Sequence, residues 1–164
     1  MSKTVELVIT RTINAPRELV FEAFTQKEHL KHWWGPAGWE MEVIKQDLRP
    51  GGICHYCLQA DGNVMWSKFV YREIAAPEKV IYVSSFSDEE GNTNRGPFSE
   101  TWPLEVLNTL TFSEQNGKTM ITLHAVPLTT AEEELETFKS ILDSMQQGFG
   151  ATFEQLDQYL AAKG

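Results

Sequence analysis

From Leu135 onward, apolar residues recur at three- and four-residue steps: Leu135, Phe138, Ile141, Met145, Phe149, Phe153, Leu156 and Leu160. That spacing draws one apolar stripe along a single α-helix. Taken from Ala131 to Ala162, the helix would be roughly 48 Å long at 1.5 Å per residue. Glu132, Glu133 and Glu134 place negative charge where the helix dipole favours it, and Thr130 with Glu133 has the spacing of a capping box. A stripe of this length must be buried against something. No other segment of the 164 residues has a helical pattern of comparable length, so the helix is expected to lie across a β-sheet.

The chain upstream can supply that sheet. "TVELVITRTI" has the β-branched content of a strand. "NAPRELVFEAFT" opens a helix with Pro16 at its first position, where a missing N–H costs nothing. Thr25 and Glu28 are spaced as a capping box for a second, short helix, "QKEHLKHWW", which Gly35-Pro36 ends. Five strand-like segments follow: "WEMEVIKQDL", "GICHYCLQA", "VMWSKFVYREI", "KVIYVSSF" and "LEVLNTLTF". "ADGN" and "AAPEK" read as turns after the second and third, and "SEQNGK" turns the chain into a last strand, "TMITLHAV".

Strand, two short helices, a run of antiparallel strands and a long C-terminal helix is the order of an α+β helix-grip fold. Specific stretches carry the resemblance further: "INAPRELVFEAFTQKEHLKHWWGP", "DLRPGG", "YREIAAPEKVIY", "DEEGN" and "GFGATFEQLDQYLA". Together they resemble the pattern of a large bacterial family named after the activator of the ninety-kilodalton heat-shock protein's ATPase. That family belongs to the START-like, birch-pollen-allergen-like (Bet v 1-like, SRPBCC) superfamily. The resemblance runs from Thr10 to the end and implies one domain over residues 1–164, a curved antiparallel sheet wrapped around the C-terminal helix. Where family members often carry Gly-Trp in the last helix, this chain has Gly148-Phe149, which alters the shape of any pocket. The co-chaperone behind the family name carries a separate N-terminal domain, whereas this chain begins at its first strand. A chaperone interaction is therefore not expected from the name alone.

Composition excludes several classes of function. The hydrophobic fraction of 41% suits a packed core, while no apolar run approaches the roughly 18 residues of a membrane span. "MSKTVELVIT" lacks the basic and apolar regions of a signal peptide, so a soluble cytoplasmic protein without a membrane role is expected. The net charge of −9 repels a phosphate backbone, and Lys27, Lys31 and Arg49 are scattered among acids, so no nucleic acid is expected.

Two stretches suggest chemistry. "HLKHWWGPAGW", residues 29–39, gathers three tryptophans and two histidines. His29 and His32 are three apart on a helix and share a face, but zinc needs three or four converging ligands. His55 and His124 lie on separate strands, so the histidines are read as solvated or packing groups and no metal is expected. Trp33 and Trp34 diverge by about 100° around a helix, so one should close the core while the other lies nearer the surface. The stretch is either a pocket rim, with Trp34 touching a ligand and Gly35, Pro36 and Gly38 forming an adjustable loop, or ordinary core. "CHYC" brings Cys54 and Cys57 together in sequence only. In a strand they point to opposite faces with Cα atoms roughly 10 Å apart, too far for a disulfide, so both should stay reduced and bind no zinc.

Strand alternation and the family register suggest which residues face a cavity. Cys54, Tyr56 and Leu58 point inward, leaving Ile53, His55 and Cys57 outside. Leu104, Val106, Asn108, Leu110 and Phe112 form an apolar row broken by Asn108, whose amide is either satisfied by backbone or water or offered to a ligand. On the next candidate strand Met65, Phe69 and Tyr71 are assigned to the cavity, and Trp66 and Val70 to the other face. The expected ligand-binding set is thus Trp34, Tyr56, Met65, Phe69, Trp102, Asn108, Phe138, Met145 and Phe149. No serine elbow, phosphate-binding glycine loop or placeable acid–base pair occurs, and Asp88, Glu89 and Glu100 read as solvated loop charges. No catalytic residue and no cofactor is assigned. The favoured function is binding of a small hydrophobic or aromatic molecule between sheet and helix. A cyclase- or hydrolase-like enzyme acting on a hydrophobic substrate stands second, and a co-chaperone-like protein-interaction module third.

Overall fold

The computed structural model describes residues 5–35, 38–94 and 100–163. Strand β1 (Leu7–Ile13) leads into helices α1 (Arg17–Thr25) and α2 (Lys27–Leu30). Seven strands follow, β2 (Glu40–Gln46), β3 (Ile53–Ala60), β4 (Asn63–Ala75), β5 (Lys79–Ser87), β6 (Thr93–Asn94), β7 (Val106–Gln115) and β8 (Lys118–Pro127). The chain ends in α3 (Glu132–Ser140) and α4 (Leu142–Lys163). The strands form one antiparallel sheet in the order β1-β8-β7-β5-β4-β3-β2, with the short β6 beside β5. Asp61-Gly62 and Asn116-Gly117 both hold positive φ, the two-residue turn geometry whose twist matches that of the hairpins β3–β4 and β7–β8. Register shifts between Val43 and Lys45 and between Tyr71 and Glu73 insert extra residues that bend the sheet.

The concave face carries the core. Ile9 and Ile13 from β1, Phe69 and Tyr71 from β4, Tyr82 from β5, Leu110 and Phe112 from β7 and Ile121 and Leu123 from β8 are all buried there. Helix α1 adds Val20, Phe21 and Phe24, and α4 adds Phe153 and Leu156. Beyond them, Asp157 accepts the Asn14 backbone N–H at 2.9 Å, fixing α4 to the corner after β1.

Several local expectations give way to tertiary packing. The C-terminal helix is not one rod: α3 and α4 are separated at Ile141, which adopts φ −117°, ψ 18°. Phe138 belongs to a cluster with Leu7, Val106 and Ala125, whereas Phe153 and Leu156 enter the main core. A straight cylinder cannot keep both ends of its stripe on a twisted, curved sheet. The longer piece, α4, spans about 33 Å at 1.5 Å per residue over its 22 residues.

Neither capping box forms. Thr25 is the last residue of α1 and its hydroxyl donates to Phe21 O at 2.9 Å, so Gln26 becomes the cap of α2. Ala131 caps α3, and its own N–H donates to the Thr129 hydroxyl at 3.1 Å. Pro16 lies one residue ahead of the helix it was expected to start, in extended conformation, with its carbonyl accepting from Leu19 and Val20. Leu104 falls outside β7 and is 39% exposed, so the inward row of that strand starts at Val106. Among the described residues, no helix is long and apolar enough to cross a membrane.

The two glycines of α4 meet different surroundings. A Cβ on Gly148 would meet nothing within 4 Å, whereas one on Gly150 would lie 2.5 Å from the Arg11 guanidinium. Gly148→Ala should therefore stabilise the fold by up to about 1 kcal/mol through helix propensity alone. Gly150→Ala should recover less, because Arg11 must move. Urea titration of both variants measures the difference, and equal gains would show that Arg11 imposes no constraint. Trp33→Ala should cost about 3–5 kcal/mol in the same assay, as expected for a fully buried aromatic.

Candidate ligand cavity

The division of labour between Trp33 and Trp34 organises the site. The α2 turn is too short to hold itself by propensity and is fixed by what it buries. Trp33 is 1% exposed, and its indole Nε1 donates to Ala23 O at 2.9 Å. The Trp34 ring diverges from it at 81° and packs edge-on to Phe69 with centroids 5.4 Å apart. From α4, Gln155 Nε2 donates to Trp33 O at 3.1 Å and Gly35 O at 2.9 Å, and Thr152 Oγ1 donates to Gly35 O at 3.3 Å. Gly35 has φ +99°, and a Cβ there would come within 2.9 Å of the Leu58 side chain. Pro36, expected in this loop, lies outside the described residues.

Behind Trp34 a cavity of about 350 Å³ lies between α4 and the concave face of β3, β4, β5 and β7. Trp34, Tyr56, Met65, Phe69, Trp102, Asn108, Met145 and Phe149 all line it. Phe138 does not. Its ring stacks beneath Trp102 with centroids 5.5 Å apart and is 1% exposed, packed behind the wall that Trp102, Val106 and Met145 form. Trp39 also stays outside the wall and packs against the core edge. The sequence reading missed a whole strand of the lining: Tyr82, Ser84, Ser85 and Phe86 on β5. A signal was present, since Tyr82, Ser84 and Phe86 alternate in "KVIYVSSF" and β5 lies between two strands already assigned to the cavity.

The wall is apolar except for a few placed groups. Trp34 Nε1 donates to the Tyr56 hydroxyl at 3.3 Å. Burial pushes the Tyr56 and Tyr82 phenols well above their usual range, so both stay protonated at neutral pH. Asn108 Nδ2 donates to Ser84 Oγ at 2.9 Å and Val106 O at 3.0 Å, with Tyr82 O at 3.5 Å. These bonds satisfy the amide nitrogen that the sequence left open.

The outer face also departs from expectation. His55 and Cys57 point away from the cavity yet are buried. Residues 88–92 fold over His55, whose Nε2 lies 3.1 Å from Asp88 O, and Lys68 Nζ donates to Gly91 O at 3.0 Å; Cys57 Sγ instead meets Gln59 Nε2 at 3.4 Å. Asp88 builds that turn by accepting from Glu90 N, Asn92 N and Asn92 Nδ2 at 2.9–3.0 Å, which holds its carboxyl below its usual range. Trp66 stacks on the His55 ring with centroids 5.3 Å apart. His29 and His32 share a face, as their spacing requires, and both meet Tyr159 of α4. His29 Nδ1 is 2.8 Å from the phenol, and the His32 ring stacks on it at 5.3 Å. Cys54 and Cys57 are free thiols with opposed side chains, Cys54 within the core cluster and Cys57 buried on the outer face beside Gln59.

The family model described as Activator of Hsp90 ATPase homolog 1-like protein matches residues 14–161. Protein Ms6760 from Mycobacterium smegmatis superposes with TM-score 0.79 at 24% identity, covering 98% of this chain and 94% of that one. A Staphylococcus epidermidis protein solved by NMR gives TM-score 0.79 at 25% identity, covering 100% and 94%. An Arthrobacter aurescens protein gives 0.80 at 21%, covering 97% and 87%. These likenesses show the helix-grip fold. No match was found among curated proteins.

Burial pushes the Cys54 thiol up from its ordinary 9.0 to about 11, an effect that the nearby Tyr71 hydroxyl partly offsets. The folded state thus keeps a proton that the unfolded chain releases first. The stabilisation is complete below pH 9 and is lost as pH rises towards 11, about 2 kcal/mol by then. Urea midpoints at pH 8, 9, 10 and 11 should fall in that window, and Cys54→Ala should flatten the slope. An unchanged slope in Cys54→Ala would assign the alkaline loss to the tyrosines instead.

Proposed function

The chain belongs to the Activator of Hsp90 ATPase homolog 1-like family, and from that membership and the cavity under α4 we propose that it binds a small hydrophobic or aromatic molecule there. One observation carries the reading: about 350 Å³ of space walled by aromatic rings and methionines in a domain of 164 residues. Protein interiors rarely leave a void much larger than a water, and ligand sites of this size and lining are the usual exception. Met65 and Met145 add unbranched, polarisable side chains that adapt to a guest's shape. Gly148 borders the space without a side chain, which keeps the α4 side open to entry.

Among the described lining residues the ionisable groups are Tyr56 and Tyr82, both held protonated, so the wall supplies no general base at neutral pH. This supports binding over the enzyme reading. The family's description names an activator of a chaperone ATPase, a role that calls for a partner surface. What this chain builds from its own residues is an open-mouthed, mostly apolar cavity under α4.

N-phenyl-1-naphthylamine, a neutral probe that brightens in apolar sites, tests the reading. Its fluorescence should rise saturably, with quenching of tryptophan emission through Trp34 and Trp102. Gly148→Leu fills the space and should weaken binding about tenfold or more while leaving thermal stability intact. Trp34→Ala should weaken binding by more than its loss of stability accounts for. Absence of saturable binding, or wild-type affinity in Gly148→Leu, would sink the proposal.

A further inference from the structure

We infer that the guest of this cavity is a neutral molecule bearing a hydroxyl group, an alcohol or a phenol, whose O–H donates to the side-chain oxygen of Asn108. The inference rests on the ligand-binding reading above. Asn108 is 4% exposed and lines the cavity floor on β7. Its amide nitrogen is committed to Ser84 Oγ, Val106 O and Tyr82 O. Those two backbone carbonyls settle which end of the amide is which, because an oxygen in that position would face other lone pairs. Oδ1 is therefore turned away from them, and no described residue donates to it. Among the described residues the one buried side-chain polar atom without a partner is Arg17 Nε, so Oδ1 is not sealed in the core but accessible, and a guest that donates to it takes the place of solvent there.

Ser84 narrows the guest further. Its hydroxyl accepts the Asn108 N–H, which leaves its own proton free to donate. An acceptor and a donor side by side on the floor match a group that gives one hydrogen bond and takes one, as a hydroxyl does. Charge excludes the other common polar heads. No Lys, Arg or His is among the described lining residues, so a carboxylate or phosphate would lose its hydration without a counter-charge. No Asp or Glu is among them either, which disfavours an ammonium group. Phe69, Trp34 and Phe149 take the hydrocarbon part.

Calorimetric titration with 4-butylphenol, butylbenzene and 4-butylbenzoate at pH 7 tests this. The informative quantity is the ratio of butylbenzene to butylphenol dissociation constants, because comparing that ratio between variants cancels the difference in hydrophobicity. The ratio should fall about tenfold in Asn108→Leu, with butylbenzene affinity kept or raised, and about threefold in Ser84→Ala. 4-Butylbenzoate should bind more weakly than 4-butylphenol. If Asn108→Leu fails to fold, Ser84→Ala carries the comparison. An unchanged ratio, or benzoate as the tightest guest, overturns the hydroxyl assignment while leaving the binding proposal standing. If none of the three binds, and N-phenyl-1-naphthylamine also fails, both readings fall.

Discussion

The fold turns on the buried indole of Trp33. Its ring lies between Phe24 of α1 and Phe153 of α4, and its N–H is satisfied by the Ala23 carbonyl near the end of α1. Its own carbonyl is held by Gln155 from α4. One residue thus ties three helices together over the open side of the sheet. The bonds matter because the α2 turn ends there, and terminal backbone groups shut away from water must find partners. Once Trp33 is seated, the direction of Trp34 follows, since neighbours on a helical turn cannot point the same way. The cavity wall is a consequence of the anchor beside it.

The two faces of the sheet solve different problems. On the concave face β3, β4, β5 and β7 carry the rings and Met65 that face α4 across the cavity, and the Asn108 amide nitrogen and the Trp34 indole are the polar groups already held by hydrogen bonds. On the convex face the 88–92 turn covers His55, and the Asp88 carboxylate organises that turn through three hydrogen bonds. A strand that looks half-exposed by its alternation is therefore buried on both sides. Trp66 of the neighbouring strand stacks on His55. His55, Cys54 and Cys57 of "CHYC" are all buried among packing neighbours.

Bending of the helix and emptiness of the cavity have one origin. A twisted sheet cannot be followed by a single straight cylinder, so the stripe that begins at Leu135 is broken at Ile141; Phe138 and the first turns of α4 pack on the smaller cluster, and Phe153 and Leu156 further along α4 enter the main core. Phe138 goes to the smaller cluster and supports Trp102 from below, while Met145 and Phe149 reach the cavity. Gly148 then leaves unfilled space where a side chain would have extended the core.

The succession of elements along the chain, the hairpins at Asp61-Gly62 and Asn116-Gly117, the two short helices and the apolar stripe were legible in the sequence, because alternation, turn chemistry and helical period are local properties of the chain. So were the strand positions Tyr56, Met65, Phe69 and Asn108 of the cavity wall, because inward positions on a strand share a period of two. Capping at Thr25 and Thr130 was not, since a local pattern competes with partners it cannot see: the Phe21 carbonyl took the first hydroxyl, and Ala131 took over as cap in place of the second. Nor were the β5 lining, the covered outer face, the break at Ile141 or the exclusion of Phe138 from the cavity. Each depends on which segments meet across the sheet. Local patterns in the chain dictate which faces must be buried; what covers each face is chosen by packing between segments far apart in the chain, because no local pattern contains its distant partner.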